Sequence, residues 1–499
     1  MIVPADRALS LAGAGARKSI ELRMRVPSGS RLHRTLDCRR RGAVHHLFRE
    51  TAAAVNVLMF TNTYAPIVGG VSESVQRLKH QLQRAGHRVL VVAPRLEGQP
   101  EHEPDVVRVV AVQHFNGSDF SLPVPIPGQL FDAIEAFEPD IVHSHHPFLL
   151  GDTAARAAET YGLPLVFTHH TLYEHYTHYV PGDSSRMQRF AVALATQYTW
   201  LCDEVIAPSE SVKQLLVQRA GNPDMTVVPS GVDTSLFATG KRDRWRDHFA
   251  IPADARVIGH LGRLAKEKNL AFLAGAVCQA LVEDAEAWWL VVGDGDAREA
   301  VEAAADRHGV SERVCFTGCL HGQALIDAYH AMDVFAFASH SETQGMVVAE
   351  AMAAGLPVVA LDAPGVREVV RNGENGRLLA HEDEQAFALA LAECTDARYW
   401  PALHETALST AQAYDEARCA ERCLRVYRLA IARGGPFTHA DDGGWERVRS
   451  RLGAEWQMLR YRGRVLRHLV QEEWREEWRE ERPSWWPGQH EDEPELPSR

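Results

Sequence analysis

The chain has 499 residues, 24% of them charged and 45% hydrophobic, with a formal net charge of −13 at pH 7. This composition excludes a disordered chain, a fibrous chain and a single small domain, and leaves room for about two to four domains. The acidic balance also excludes a general attraction to nucleic acid phosphates, so a phosphate ligand has to be gripped by locally placed cations.

Charge is unevenly spread. Residues 1–54 hold eleven Lys/Arg against four Asp/Glu, while the remainder of the chain is acidic. With Arg23, Arg25, Arg31, Arg34, Arg39, Arg40 and Arg41 and no apolar run of signal-peptide length, this segment is expected to be a basic, disordered arm and not a secretion signal. A membrane-surface arm and an over-extended gene start are the alternatives. No stretch of about 18 apolar residues occurs, so no span of a bilayer is expected. The eight cysteines form no CxxC pair and no zinc-ligand spacing, which fits reduced thiols in a cytoplasmic protein.

From residue 55 onward short apolar runs alternate with helix-length amphipathic segments, the pattern of βαβ units around a parallel sheet. The first series of runs covers 55–60, 88–93, 106–112, 140–145, 164–169, 203–208 and 226–231. A second series covers 256–263, 288–295, 313–318, 334–339, 357–362 and 376–380. The charged, strandless stretch 232–255 between them reads as a linker. The predicted organisation is therefore a basic arm (1–54), two doubly wound α/β domains (55–235 and 236–435) and a tail (436–499). Ligand would bind in the cleft that the carboxyl ends of both sheets face.

The tail carries six of the eleven tryptophans, namely Trp445, Trp456, Trp474, Trp478, Trp485 and Trp486. Val448, Leu452, Trp456, Leu459, Leu466 and Leu469 fall at helical spacings beside seven arginines. Such a helix either packs back on the body or lies in a membrane interface. The run 471–481 reads as a solvated Glu/Arg helix and the last ten residues as disordered.

Four segments carry chemistry. Gly69 and Gly70 precede the first helix, where backbone amides can approach an anion. The pattern is not GxGxxG, which weighs against a dinucleotide. Arg263 and Lys268, in the segment Gly262 to Asn269, sit at the carboxyl end of a strand and suit a diphosphate, one as a fork and the other as a point charge. Glu342 falls in a loop after a strand, Gly345 opens a helix with Met346 and Val347, and Glu350 lies one or two turns in. The two carboxylates can thus address different parts of one ligand. Seven histidines lie between 143 and 178 without metal-ligand spacing, and the DxD at Asp294 and Asp296 reads as a strand-end turn, so no metal site is expected.

Together these segments resemble the retaining glycosyltransferases of family 4, which have the GT-B fold of two Rossmann-like domains. The resemblance covers roughly residues 55–430, and its most specific part is the glutamate pair with the following EAMAAGLPVV. It implies that Glu342 contacts the donor sugar, that Glu350 binds the nucleotide ribose, and that backbone amides around Gly345, Met346 and Val347 assist. It further implies that Arg263, Lys268, Gly69 and Gly70 neutralise the donor diphosphate, and that His145, in His143-Ser144-His145, sits beside the transferred sugar. A nucleotide sugar, UDP-glucose first, is the implied donor, with no tightly bound cofactor and no required divalent metal.

Most of the family has Glu-Gly-Phe-Gly where this chain has Glu342-Thr343-Gln344-Gly345. The ETQG form is similar to members that glycosylate diacylglycerol, as is the segment from Thr168 to Pro181. That likeness implies an acceptor side at His146, Tyr173, Tyr176 and Tyr179, a lipid acceptor, no nucleic acid partner, and peripheral attachment to the inner membrane face through the N-terminal domain and the tail. The expected reaction is hexose transfer to a lipid such as 1,2-diacylglycerol. Mannosyl or other hexosyl transfer to a phospholipid or sugar is the alternative within the class. A UDP-sugar 2-epimerase and a catalytically silent membrane-binding protein are the alternatives outside it.

Overall fold

The computed structural model describes residues 53–67, 69–100, 103–112, 122–123, 127–173, 185–220, 225–340, 342–434, 455 and 458–465. The basic arm up to residue 52, Tyr176, Tyr179 and all six tail tryptophans lie outside the described residues.

In chain order the first half contributes β1 (Asn56–Phe60), β2 (Arg88–Pro94), β3 (Val106–Val109), a small antiparallel pair β4 (Ala111–Val112) and β5 (Leu122–Pro123), then β6 (Ile141–Ser144), β7 (Leu165–Thr168), β8 (Glu204–Ala207) and β9 (Met225–Val227). Seven of these form one parallel sheet in the order β3-β2-β1-β6-β7-β8-β9. The second half contributes β10 (Arg256–Leu261), β11 (Ala287–Val292), β12 (Val314–Gly318), β13 (Val334–Phe337), β14 (Val358–Leu361) and β15 (Gly376–Leu379). They form a six-stranded parallel sheet in the order β12-β11-β10-β13-β14-β15. The run 106–112, expected as one strand, breaks at the exposed Val110, and its second part turns away into the small pair.

The central strands are mostly apolar and buried because both faces are covered. Leu58, Phe60 and Val92 point into one core layer of the first sheet, and Val57, Met59 and Val91 into the other. The alternation of two layers across one strand leaves no solvated face, which is why these runs are continuous and not period-two in hydrophobicity.

In each sheet the order reverses around one strand. β1 pairs with β2 on one side and β6 on the other, and β10 pairs with β11 and β13. A crevice opens outside the carboxyl ends at such a switch point. The loops after β1, β6, β10 and β13 are those that carry Gly69/Gly70, His145, Arg263/Lys268 and Glu342.

The stretch 232–255 is not a bare linker. Two short helices, Thr234–Phe237 and Asp243–His248, pack into the second core through Val232, Phe237 and Ile251. Arg246, 3% exposed, donates to the carbonyls of Ala331 and Ala255 and pairs with Asp333.

The chain then returns. The helix Glu416–Arg433 places Cys423, Leu424, Val426, Tyr427 and Ala430 in the core of the first sheet. The Tyr427 hydroxyl lies 2.6 Å from Nδ1 of His143 on β6. The outgoing and returning segments run side by side: Val232 N donates to Tyr414 O, and Glu416 N donates to Val232 O. Gly231 is required at this crossing, because a Cβ there would lie 2.2 Å from Glu416 Cα.

Part of the tail joins the same body. In the helical segment 458–465, Met458, Tyr461 and Val465 are all buried in the core of the first sheet. Tyr461 donates to the carbonyl of Leu194 at 3.1 Å and meets the Tyr198 ring edge-on, while Glu455 pairs with Arg156 at 2.7 Å. For these residues packing on the body is the outcome. No helix among the described residues is long and apolar enough to cross a membrane. Removing a buried aromatic side chain typically costs about 3 to 5 kcal/mol. Tyr461→Ala is therefore expected to lower the stability read from a urea titration by about 3 kcal/mol, and a loss well under 1 kcal/mol would show that the segment is not part of the core.

Candidate active site

Gly69 and Gly70 open the helix Gly70–Arg84, and a Cβ on either would meet nothing within 4 Å. Both glycines thus have open space beside their Cα atoms. Opposite in the chain, Gly262 leaves β10 at φ +156°, and Gly293 and Gly295 at the DxD turn pack against the backbone of Gly262 and Leu264 respectively. Leu264 N donates to Asp294 O, and Asp294 holds its own turn through Gly295 N. That carboxylate therefore shapes the loop, and among the described residues no group of three His, Cys, Asp or Glu side chains is arranged to hold a metal ion.

The loop places Arg263 against Glu267 with its side chain 46% exposed. Lys268 donates to Glu342 Oε1 at 2.6 Å, and both side chains are mostly covered. The structure thus joins the expected diphosphate lysine to the expected sugar carboxylate. Asn269, in the left-handed region at φ +55°, turns the chain into the helix Leu270–Glu283.

Gly345 opens the helix Met346–Ala353 at φ +68°, a conformation that favours glycine. Met346 and Val347 form its half-buried first turn. Glu350 is 5% exposed and is held from two sides: Arg77 donates to Oε1 at 2.9 Å and the Tyr329 hydroxyl to Oε2 at 3.2 Å. Burial lifts the Glu350 carboxyl above its ordinary value, opposed by the Arg77 cation. Arg77 comes from the first domain and also donates to Glu73 and to the carbonyl of Gly231.

His145 follows β6 and is 1% exposed. Its Nδ1 lies 2.9 Å from His170 Nε2, while its buried Nε2 has no partner. His143 beneath it bonds Tyr427 and Thr168, and His146 accepts from the backbone of Asn62 at 3.1 Å. Burial holds His143 and His146 down at about 3, and keeps His145 and His170 well below the usual 6.5, so all four are neutral near pH 7. A cavity of about 40 Å³ lies among Ser74, Arg77, His145, His170, Ser230 and Glu416.

The geometry thus brings together Lys268 with Glu342, and His145 with Arg77 around one cavity. It does not leave Tyr173 open to an acceptor. Tyr173 is 9% exposed, packed edge-on against Phe148 and tilted against His169, with its hydroxyl buried. His146 is likewise turned into the first domain. Arg77, Tyr329 and His170 escaped the sequence reading. Arg77 looks there like one half of a solvated i,i+4 pair with Glu73, and its real partner is 273 positions away.

Burial of neutral histidines has a pH consequence. His143, His146 and His260 have folded values of about 3, about 3 and about 4, all below the ordinary 6.5. The unfolded chain binds more protons in this range, so their contribution is fully present above about pH 6.5 and is lost as pH falls. Unfolding free energy is expected to drop by at least about 3 kcal/mol between about pH 7 and about pH 5. A flat urea midpoint across that range would contradict the burial of these neutral rings.

Two family descriptions match the chain, Glycosyltransferase Family 4 at residues 68–236 and Glycosyl transferases group 1 at residues 255–396. The chain is 32% identical over 375 residues to a GDP-mannose-dependent alpha-mannosyltransferase of Mycobacterium tuberculosis (strain CDC 1551 / Oshkosh), covering 70% of this chain and 93% of the relative. It is 27% identical over 337 residues to an alpha-monoglucosyldiacylglycerol synthase of Streptococcus pneumoniae (strain ATCC BAA-255 / R6), covering 66% and 76%. Anabaena HepE, solved in complex with UDP-glucose, superimposes with a TM-score of 0.60 at 22% identity, covering 75% of this chain and 100% of that one, and shares the fold. Two switch-point crevices that carry the glycine loop, the Arg/Lys loop and the paired glutamates agree with these matches and set aside the epimerase: the chain belongs to glycosyltransferase family 4, a retaining hexosyltransferase of the GT-B fold.

Proposed function

We propose that the chain transfers glucose from UDP-glucose to the free hydroxyl of 1,2-diacylglycerol or a related lipid, with retention at the anomeric carbon. The 2.6 Å pair between Lys268 and Glu342 carries this reading: it joins, at the end of one sheet, the cation expected to meet the diphosphate and the carboxylate expected to meet the sugar. The glucosyldiacylglycerol synthase relatives and the ETQG motif support the lipid acceptor.

In this reading the donor lies between the two sheets. Its diphosphate meets Arg263, Lys268 and the amides at Gly69 and Gly70, and its ribose meets Glu350. As the bond from the anomeric carbon to the diphosphate breaks, negative charge grows on the leaving oxygens, and cations held by the fold beside them stabilise that charge. Lys268 gives up part of its contact with Glu342 to do so, which frees the carboxylate for sugar hydroxyls. The acceptor hydroxyl attacks from the same face that the diphosphate leaves and passes its proton to a leaving-group oxygen. His145 stays neutral and offers Nε2 to the sugar, since its Nδ1 is taken by His170. Contact between the domains excludes water and so suppresses hydrolysis of the donor.

The domain limits 55–235 and 236–435 belong to this proposal, as does attachment to a membrane surface on the cytoplasmic side. A second reading, mannosyl transfer from GDP-mannose, is favoured by the higher identity to the mannosyltransferases, 32% and 34%.

Incubation with UDP-glucose, GDP-mannose or UDP-galactose and diacylglycerol in mixed micelles, with mass analysis of the lipids, separates the readings. An α-glucosyl lipid from UDP-glucose alone is expected. A mannosyl lipid from GDP-mannose would replace the first reading with the second, and absence of any glycolipid would remove the lipid acceptor. With the donor so identified, Arg263→Ala and Lys268→Ala are each expected to lower turnover by about a hundredfold with the fold intact. Near-normal turnover of both would remove the diphosphate assignment.

A further inference from the structure

We infer that Thr343 and Gln344, the two positions at which this chain departs from the usual Glu-Gly-Phe-Gly, are positioning residues that latch the donor-side motif onto the first domain and so fix the separation of Glu342 and His145.

The contacts form a short ladder. Ser209 Oγ donates to Thr343 O at 2.7 Å, and Thr343 Oγ1 donates to His170 O at 2.9 Å. Ser230 N donates to Gln344 Oε1 at 2.6 Å, and Gln344 Nε2 returns a bond to Ser230 O at 2.8 Å. The three partners lie on three successive strand-end loops of the first domain, after β7, β8 and β9. Gln344 is 3% exposed, so its amide has been taken out of water and depends on Ser230 for both of its bonds. A glycine and a phenylalanine offer neither the hydroxyl nor the amide, so three of the four bonds exist only because of these two side chains.

The ladder also has a rigid backing. Gly365 passes so close that a Cβ there would lie 2.6 Å from Gln344 N and 2.7 Å from the Thr343 carbonyl carbon. The motif cannot retreat into its own domain without moving that segment. On the other side His170, whose carbonyl takes the Thr343 hydroxyl, presents its ring to His145 Nδ1. Glu342, next to Thr343, is therefore linked to His145 through one hydrogen bond and one ring contact. If those two residues flank the transferred sugar, as the family assignment implies, the latch sets the gap that the sugar fills. Loss of the latch leaves each half of the donor site intact and disturbs only their mutual placement.

The test uses the full chain and three variants, Gln344→Leu, Thr343→Val and Thr343→Ser. Solution scattering without substrate reads the domain arrangement, calorimetry with UDP and with GDP reads the nucleotide site, and kcat and KM are taken with the donor that the panel identifies. Gln344→Leu and Thr343→Val are expected to enlarge the radius of gyration and lower kcat about tenfold, with nucleotide affinity and donor KM within about twofold of the parent. Thr343→Ser, which keeps the hydroxyl, is expected to behave as the parent. An unchanged radius and kcat in Gln344→Leu, or equal losses in Thr343→Ser and Thr343→Val, would overturn the inference. Should Gln344→Leu fail to fold, the Thr343 pair decides alone. Because scattering needs no donor, failure of the donor assignment and failure of the latch are read separately.

Discussion

A carboxylate removed from water has to be answered by a cation or by several hydrogen bonds, and the rest of this molecule follows from how Glu350 meets that demand. It sits on a buried helix turn in the second domain, and the cation that answers it, Arg77, stands on the first helix of the first domain. The two halves of the chain are thereby tied at the point where their switch-point crevices face each other. Gly231 and the crossing at Val232 and Glu416 bring the segments between the domains together beside the same place. A donor site that includes Glu350 would accordingly draw on both sheets.

Neutrality is the second constraint. Packing four histidine rings around the end of β6 is tolerable because each is held uncharged by burial and bonded to a neighbour, with Tyr427, Thr168, Asn62 and one another as partners. Three cationic side chains, Arg77, Arg263 and Lys268, each face a carboxylate. In the proposed reading these cations are offered to a diphosphate and the neutral hydrogen-bonding groups to a sugar, and the charges are paired internally.

The positions of the strands and the loops of the site were legible in the sequence because they depend on local signals. Runs such as Val89 to Ala93 are apolar at every position, and glycines at 262, 293, 295 and 345 mark turns with positive φ. Arg263, Lys268 and Glu342 could be placed at strand ends, and Glu350 on the helix that follows, by the same logic. What escaped depends on distant residues. The linker reading missed Arg246 because its carbonyl partners are fixed only when the second core closes. The return helix looks like any amphipathic helix of the second half until Tyr427 is seen against His143. Tyr173, expected on the acceptor side, turns inward because Phe148 and His169 offer it a packed pocket. The ETQG motif was visible as a departure, but the meaning of its two polar side chains lies in Ser209, Ser230 and His170.

The central claim is that both sheets grip the nucleotide sugar. Hydrogen exchange of the full chain with and without saturating donor, UDP-glucose and GDP-mannose in turn, tests it most directly. The account predicts slowed exchange in 262–269 and 342–350 of the second domain together with 69–77 of the first. Slowing confined to one domain, or found only outside these segments, would contradict it.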